Sequence, residues 1–220
     1  MRVSAVIVAA GEGRRFGAVK QFALLRGKRV LDWSLEAFNA HPQVDEIVLV
    51  LPDVESKDEF RSRYRKITAV VEGGEHRQDS VSLGFRAIQP GRADIVLVHD
   101  GARPLAGHDL IGRVIGKAHE KGAAVPGLAL DETVKEVGDE GFIRTLDRSR
   151  IFRVQTPQGF SYALLKLALE GAAAAKFYGT DEAALVERLG ENVYLVEGDP
   201  RNIKITVPLD LKMAEAILAD

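Results

Sequence analysis

Apolar runs that ignore parity alternate along this chain with segments whose apolar residues recur every three or four positions. Val3–Ala9 (VSAVIVA) is apolar on both parities, the mark of a strand covered on both faces. A glycine turn follows at Gly11–Gly17, and Leu31–Ala40 then carries a helical stripe of Leu31, Leu35 and Phe38. Glu46–Leu51 reads as a second buried strand, Asp53–Tyr64 as a polar helix, Ile67–Val71 as a third strand and Asp79–Ile88 as a helix. Asp94–His99, running into Asp100, makes a fourth strand. Gly107–Lys121 is a helix and Ala123–Leu130 a fifth strand, broken by Pro126 and Gly127. This alternation predicts an α/β fold with a Rossmann-like, mostly parallel sheet and helices on both faces.

The rhythm changes after Leu130. Thr133–Val137 and Phe142–Leu146 read as two short strands around Gly138-Asp139-Glu140-Gly141, a hairpin signal. A lone two-stranded hairpin is marginal in water, so this one must lie on the body or reach a partner subunit. Helices resume at Tyr162–Ala175 and Asp181–Leu189, followed by short strands at Val193–Val196 and Ile203–Thr206. Pro208 then opens a last helix to Ala219, in the position proline tolerates best. No repeat or linker interrupts residues 1–220, which predicts one domain with a β-arm at about 131–155.

Charge and composition narrow the chemistry. Thirty Lys+Arg against 32 Asp+Glu leave a net charge of −2, which argues against a nucleic-acid partner. The absence of cysteine excludes disulfides, thiol nucleophiles and cysteine-held metals, and suits a cytoplasmic home. The apolar runs are shorter than the roughly 18 residues of a membrane span, and the N-terminus carries no signal-peptide pattern, so no membrane role is expected.

Against this balanced background, Gly13–Val30 holds six basic residues and no acid: Arg14, Arg15, Lys20, Arg26, Lys28 and Arg29. A glycine-rich turn after the first strand of an α/β sheet is where such folds bind ligands. Gly11 and Gly13 would open backbone N–H groups to phosphate, with Arg15 and Lys20 supplying charge; an ordinary turn with solvated arginines is the alternative. The third glycine stands at 17 rather than 16 and no acid follows at a strand end, so the dinucleotide fingerprint fails, and no P-loop is present. Gly73–Ser80 (GGEHRQDS) joins a strand end to a helix start and either reads a flat base through main-chain groups or is a capped turn. His99-Asp100-Gly101-Ala102-Arg103-Pro104 sets an acid and an arginine at the same sheet edge, as site residues or as a buried Asp–Arg pair. Thr133, Arg148, Thr156, Thr180-Asp181 and Asn202–Thr206 are further candidates, with Thr180 equally able to cap the following helix. The five histidines show no metal spacing and read as solvated or capping residues.

Taken together these segments resemble a family. Ala9-Ala10-Gly11-x-Gly13-x-Arg15-Phe16-Gly17 with Lys20-Gln21 is similar to the signature loop of nucleotidyltransferases acting on sugar and polyol phosphates. GGxxRxDSV (73–81), HDGARP (99–104), ETVK (132–135), LDR (146–148), QTPQ (155–158), TDE (180–182) and NIKIT (202–206) resemble the 2-C-methyl-D-erythritol 4-phosphate cytidylyltransferases. These enzymes use CTP in the non-mevalonate isoprenoid pathway. The usual HDAARP is HDGARP here, a change that removes one methyl and no reactive group.

The resemblance implies roles residue by residue. Arg15 and Lys20 would stabilise charge on the triphosphate, with Gly11 and Gly13 in the same loop. Ala9, Ala10, Gly74, Glu75 and Ser80 would recognise cytosine and ribose. Arg148 and Lys204 would position the polyol phosphate, and Asp100, Arg103, Thr133, Thr156 and Thr180 would line its side of the site. It also implies Mg²⁺ held mainly through the CTP phosphates, with Asp100 the side chain to watch, and a homodimer whose arm enters the neighbour's site. A ribitol 5-phosphate cytidylyltransferase, a non-catalytic CTP-binding dimer and, more remotely, a nicotinamide dehydrogenase remain as alternatives.

Overall fold

The computed structural model describes residues 1–11, 16, 20–89 and 91–219. In chain order the strands are β1 Val3–Val8, β2 Leu24–Leu25, β3 Lys28–Arg29, β4 Glu46–Leu51, β5 Ile67–Glu72, β6 Ile95–Asp100, β7 Ala123–Ala129, β8 Lys135–Val137, β9 Ile143–Thr145, β10 Phe152–Val154, β11 Gln158–Ser161 and β12 Tyr194–Glu197. The helices are α1 Val30–Ala40, α2 Lys57–Arg63, α3 Arg77–Arg86, α4 His108–Lys121, α5 Tyr162–Ala174, α6 Glu182–Arg188 and α7 Pro208–Ile217. Among the described residues, eight strands form the main sheet in the order β10-β7-β11-β6-β1-β4-β5, with β12 along β7. The β1, β4, β5 and β6 ladders are parallel, as is β12 on β7, whereas β10 and β11 run antiparallel to their neighbours.

Strand parity sorts the core into two layers. Val3, Ala5 and Ile7 of β1 point to the face covered by α1, α2 and α4, where Leu35, Phe38, Phe60, Ile111 and Val114 pack. Val6, with Val48, Val50, Val96 and Val98, points to the opposite face, covered by Val81, Phe85, Leu165, Leu169 and Leu185 of α3, α5 and α6. Each such side chain, fully buried, stabilises the fold by roughly 1.5–3 kcal/mol, which is why these strands tolerate polar residues only at their ends. A smaller cluster of Leu25, Val30, Ile205 and Ala214 seats α7 beside the short β2–β3 ribbon.

Several sequence expectations need correction. The helix expected over Asp53–Tyr64 covers only Lys57–Arg63, since its first residues form a turn around Asp53, whose carboxylate accepts from the Glu55 N–H. Pro126 and Gly127 do not break β7: the Pro126 carbonyl accepts from Gln155 N and the Gly127 carbonyl from Gly198 N, so the ladder runs through. Ile203–Thr206 is not a strand but an irregular segment, tied to the sheet edge by Ile205 N donating to Ala102 O. The hairpin forms as β8–β9, a separate two-stranded sheet on which Val137, Phe142 and Ile143 are exposed. No described helix is long and apolar enough to cross a membrane.

Candidate active site

The chain leaves β1 towards β4 and β5, then returns to place β6 on the other side of β1. Ligands bind at such a switch point, outside the carboxyl ends of the strands. Here a cleft of about 630 Å³ opens, lined among others by Ala9, Ala10, Gly11, Lys20, Gly74, Glu75, Ser80, Asp100 and Lys204. Nine positions expected from sequence therefore converge on one surface.

The first wall is main chain. Buried Gln21 donates to the carbonyls of Ala9 and Gly11, pinning the turn after β1. Gly73 N donates to Leu51 O, and a β-carbon on Gly73 would stand 2.2 Å from Ala10 Cβ and 2.9 Å from Ser80 Oγ. Only glycine lets these two loops close on each other. Ser80, 2% exposed, accepts from Gly74 N and donates to His76 O, so its hydroxyl holds the loop's shape. Asp79 completes the turn by accepting from His76 N at the start of α3.

The second wall is charged. Asp100 closes β6 and is 7% exposed; its Oδ1 accepts from Arg77 Nε at 2.9 Å and its Oδ2 from Lys204 Nζ at 2.7 Å. Burial works to raise its pKa, but Arg77 and Lys204 outweigh burial and hold the carboxyl well below the usual carboxylate range. Arg77 also donates from Nη1 to both oxygens of Glu182, at 2.8 and 2.9 Å. Glu182 is buried at the start of α6, where burial raises its pKa and Arg77 opposes the rise. The Asp–Arg pair expected within HDGARP is looser, with Arg103 Nε 4.0 Å from Asp100; Arg103 donates instead to the Asn202 carbonyl.

Behind the charges, His99 sets the end of β6. A carbonyl can only accept, so Nε2, 3.2 Å from Arg103 O, carries the ring proton and Nδ1 accepts from the Thr156 hydroxyl. Thr156 Oγ1 in turn accepts from the Asp100 backbone N–H. Burial pushes the His99 pKa down to about 4, so the ring is neutral near pH 7. Sequence reading expected solvated or capping histidines; His99 and His41 are instead buried.

The remaining expected residues lie elsewhere. Thr156 stands behind Asp100, accepting from its backbone N–H, and Arg103 is turned to the Asn202 carbonyl; neither lines the cleft. Thr133, Arg148 and Thr180 are exposed and do not line it in this chain, and Asp181, not Thr180, caps α6 by accepting from Ala184 N. Gly13 and Arg15 lie outside the described residues. Gln21, His76, Arg77, Ala102 and Val8 line the cleft without having been singled out, and Glu182 supports it. Arg77 and Glu182 stood inside the GGxxRxDSV and TDE motifs, so the signal was present, but their pairing spans 105 positions. Among the described residues no three acidic or histidine side chains gather around a metal position.

The profile of the 2-C-methyl-D-erythritol 4-phosphate cytidylyltransferase (IspD) family matches residues 3–220. Enzymes of that name from Geobacter metallireducens and Geobacillus thermodenitrificans are each 42% identical to this chain, covering 100% of it and 99% and 98% of their own lengths. The crystal structure of the Thermus thermophilus enzyme is similar over 100% of both chains, with a TM-score of 0.83 at 38% identity. That of the 4-diphosphocytidyl-2C-methyl-D-erythritol synthase from Anaerococcus prevotii gives 0.88 at 31% identity, over 100% of this chain and 96% of that one. With profile, relatives and solved structures agreeing along the whole chain, it belongs to the 2-C-methyl-D-erythritol 4-phosphate cytidylyltransferase family.

Proposed function

We propose that the cleft transfers the cytidylyl group of CTP to 2-C-methyl-D-erythritol 4-phosphate, releasing pyrophosphate, as a step of non-mevalonate isoprenoid synthesis. The observation that carries this reading is the facing of two walls across one cleft: a glycine-closed main-chain wall suited to a base, and Lys204 held on Asp100 opposite. The acceptor's phosphate oxygen attacks the α-phosphorus of CTP in line while the bond to pyrophosphate breaks. That oxygen is already anionic, so no side chain has to remove a proton, which suits a cleft whose described histidine at the β6 end is buried and neutral. The difficulty is bringing two anions together, and fixed cations do this best where they need no reorganisation. Lys204 would align the acceptor phosphate, and Lys20 with Arg15 would take up charge on the departing pyrophosphate. Main-chain groups of Gly74 and Glu75 would read the cytosine edge.

Mg²⁺, when bound, would supply charge neutralisation on the triphosphate. Asp100 does not fit as its resident ligand, because both oxygens are engaged by Arg77 and Lys204. The donor set suits an ion brought in on CTP, consistent with magnesium's habit of taking few protein ligands. Thr133 and Arg148 belong, on this reading, to the neighbouring subunit's cleft in a homodimer, reached through the β8–β9 arm.

The reaction is tested by offering CTP with methylerythritol phosphate and, separately, with ribitol 5-phosphate, and following pyrophosphate. Release with the first acceptor alone is expected; release with ribitol phosphate at equal efficiency overturns the substrate assignment. The shared site is tested by mixing Lys20→Ala and Arg148→Ala chains under subunit exchange. If Arg148 acts in the neighbour's cleft, each mixed dimer regains one intact site of its two by two-fold symmetry. No recovery of activity refutes the sharing.

A further inference from the structure

Between the nucleotide loop and Lys204 stands a side chain to which neither the family motifs nor the mechanism above gives a task. Arg77 opens α3 directly after the Gly73–His76 loop and lines the cleft. Its Nε is on Asp100 Oδ1 at 2.9 Å and its Nη1 on both Glu182 oxygens, so one guanidinium joins β6 to α6. The other Asp100 oxygen is on Lys204 Nζ at 2.7 Å. One carboxylate is thus divided between two cations.

We propose that Arg77 is a positioning residue for the acceptor phosphate, acting through Asp100 to keep Lys204 in place and its charge available to an incoming anion. The proposal rests on the assignment of Lys204 made above. With Oδ1 held, Asp100 offers Lys204 a single oxygen in a fixed direction and only part of its charge. Without Arg77 the carboxylate is free to turn, take the ammonium with both oxygens and neutralise it, drawing it away from the cleft. Glu182 anchors the far side of the guanidinium, and its burial leaves it no solvent to turn to. A lysine at 77 cannot replace this arrangement, since a single ammonium lacks the planar fork that reaches two carboxylates at once.

The test is a kinetic cycle on the full chain with Arg77→Gln, Arg77→Lys, Asp100→Asn and the Arg77→Gln/Asp100→Asn double variant, each checked for folding by thermal melting. Arg77→Gln is expected to raise KM for methylerythritol phosphate about tenfold, the scale of one charge-assisted hydrogen bond, and to leave KM for CTP within about twofold. Arg77→Lys, which keeps the charge and guards against loss of fold, should show most of the same defect. In the Asp100→Asn background no carboxylate remains to capture Lys204, so adding Arg77→Gln should change acceptor KM by less than about twofold. Affinity for inorganic phosphate, a probe of the acceptor-phosphate position at Lys204, measured by calorimetry, follows the same cycle without turnover. A wild type that binds inorganic phosphate but releases no pyrophosphate from CTP would defeat the proposed reaction while the calorimetric cycle still judges Arg77. Recovery in Arg77→Lys, a defect confined to CTP, or an undiminished Arg77→Gln effect beside Asp100→Asn would each overturn the proposal.

Discussion

Asp32 and Asp100 are both buried aspartates held by two cations, and they differ in what those cations still face. Asp32, at the start of α1, accepts from Arg29 Nε at 2.8 Å, from Arg63 Nη1 at 3.2 Å and from the Tyr64 hydroxyl at 2.9 Å. Burial opposes its ionisation, but Arg29, Tyr64 and Arg63 outweigh burial and lower its pKa. The two arginines spend their other donors on a second carboxylate, both reaching Glu59, with Arg29 over the Phe60 ring and Arg63, 42% exposed, over Tyr64. Around Asp100 the set is left open: Lys204 reaches in from an irregular segment, pairs with Asp100 alone among the described carboxylates, and lines the cleft. A buried carboxylate does not mark a site. A cation held by one carboxylate alone and facing a cleft does.

The largest effect expected from this contrast is kinetic. Lys204→Ala should lower kcat by about 10²-fold or more, the usual loss for one preorganised group, with little change in melting temperature. A normal kcat would reduce Lys204 to a structural partner of Asp100, like Arg29 beside Asp32. Asp32→Ala should do the reverse. Removing one partner of a buried ion pair costs about 3 kcal/mol, or roughly 6–12 °C in Tm for a chain of this size. Its kcat and KM at 25 °C should stay within about twofold of the parent, and a selective loss of activity would show that α1 and α2 couple to the cleft.

A third measurement separates the two clusters by pH. Burial holds His99 at about 4, below its ordinary value of about 6.5, so between these limits the unfolded chain takes up a proton that the native state refuses. Stability should therefore be flat above about pH 6.5 and fall as pH drops towards 4, by about 2 kcal/mol between 6.5 and 5. His41, also lowered by burial, acts in the same direction, whereas Asp32 and Asp100 add their losses only below about pH 4. Urea midpoints across this range check the sign, and His99→Gln should flatten the upper window; an unchanged slope would move its source away from β6.

The smallest effect concerns Gly101. A β-carbon there would stand 2.9 Å from Leu31 Cδ1 and 3.1 Å from Ala9 Cβ, so the wall joining the two regions is packed for glycine. Gly101→Ala should cost about 1 kcal/mol or less if Leu31 swings aside. A loss several times larger, read from the melting curve, would show that Ala9 and not Leu31 has to give.

What could be read from the sequence follows the strength of its local signals. β1, β4 and β6 are long and apolar on both parities, and the structure places them within a residue of expectation. β10 and β11 were missed because three and four residues on either side of Thr156-Pro157 are too short to show a period, and they gain their pairing only from β6 and β7. Ile203–Thr206 alternates like a strand yet has no ladder; it is tied by one bond to the Ala102 carbonyl and by the Lys204–Asp100 pair. In the site, glycine loops and motif spacing pointed to both walls of the cleft. The links Arg77–Glu182 and Lys204–Asp100 join residues 105 and 104 positions apart, and nothing local announces them.

That last separation has a consequence for the chain as it is made. Synthesis delivers the main-chain wall of the cleft first, since its residues lie between positions 9 and 80. Lys204 comes more than a hundred residues after the carboxylate that receives it. A nascent or prematurely terminated chain can therefore own a nearly complete sheet and the main-chain wall while lacking the ammonium that the proposed reaction assigns to the acceptor phosphate. On the proposed reading such a product would hold nucleotide without turning it over, so competence for chemistry arrives late and all at once.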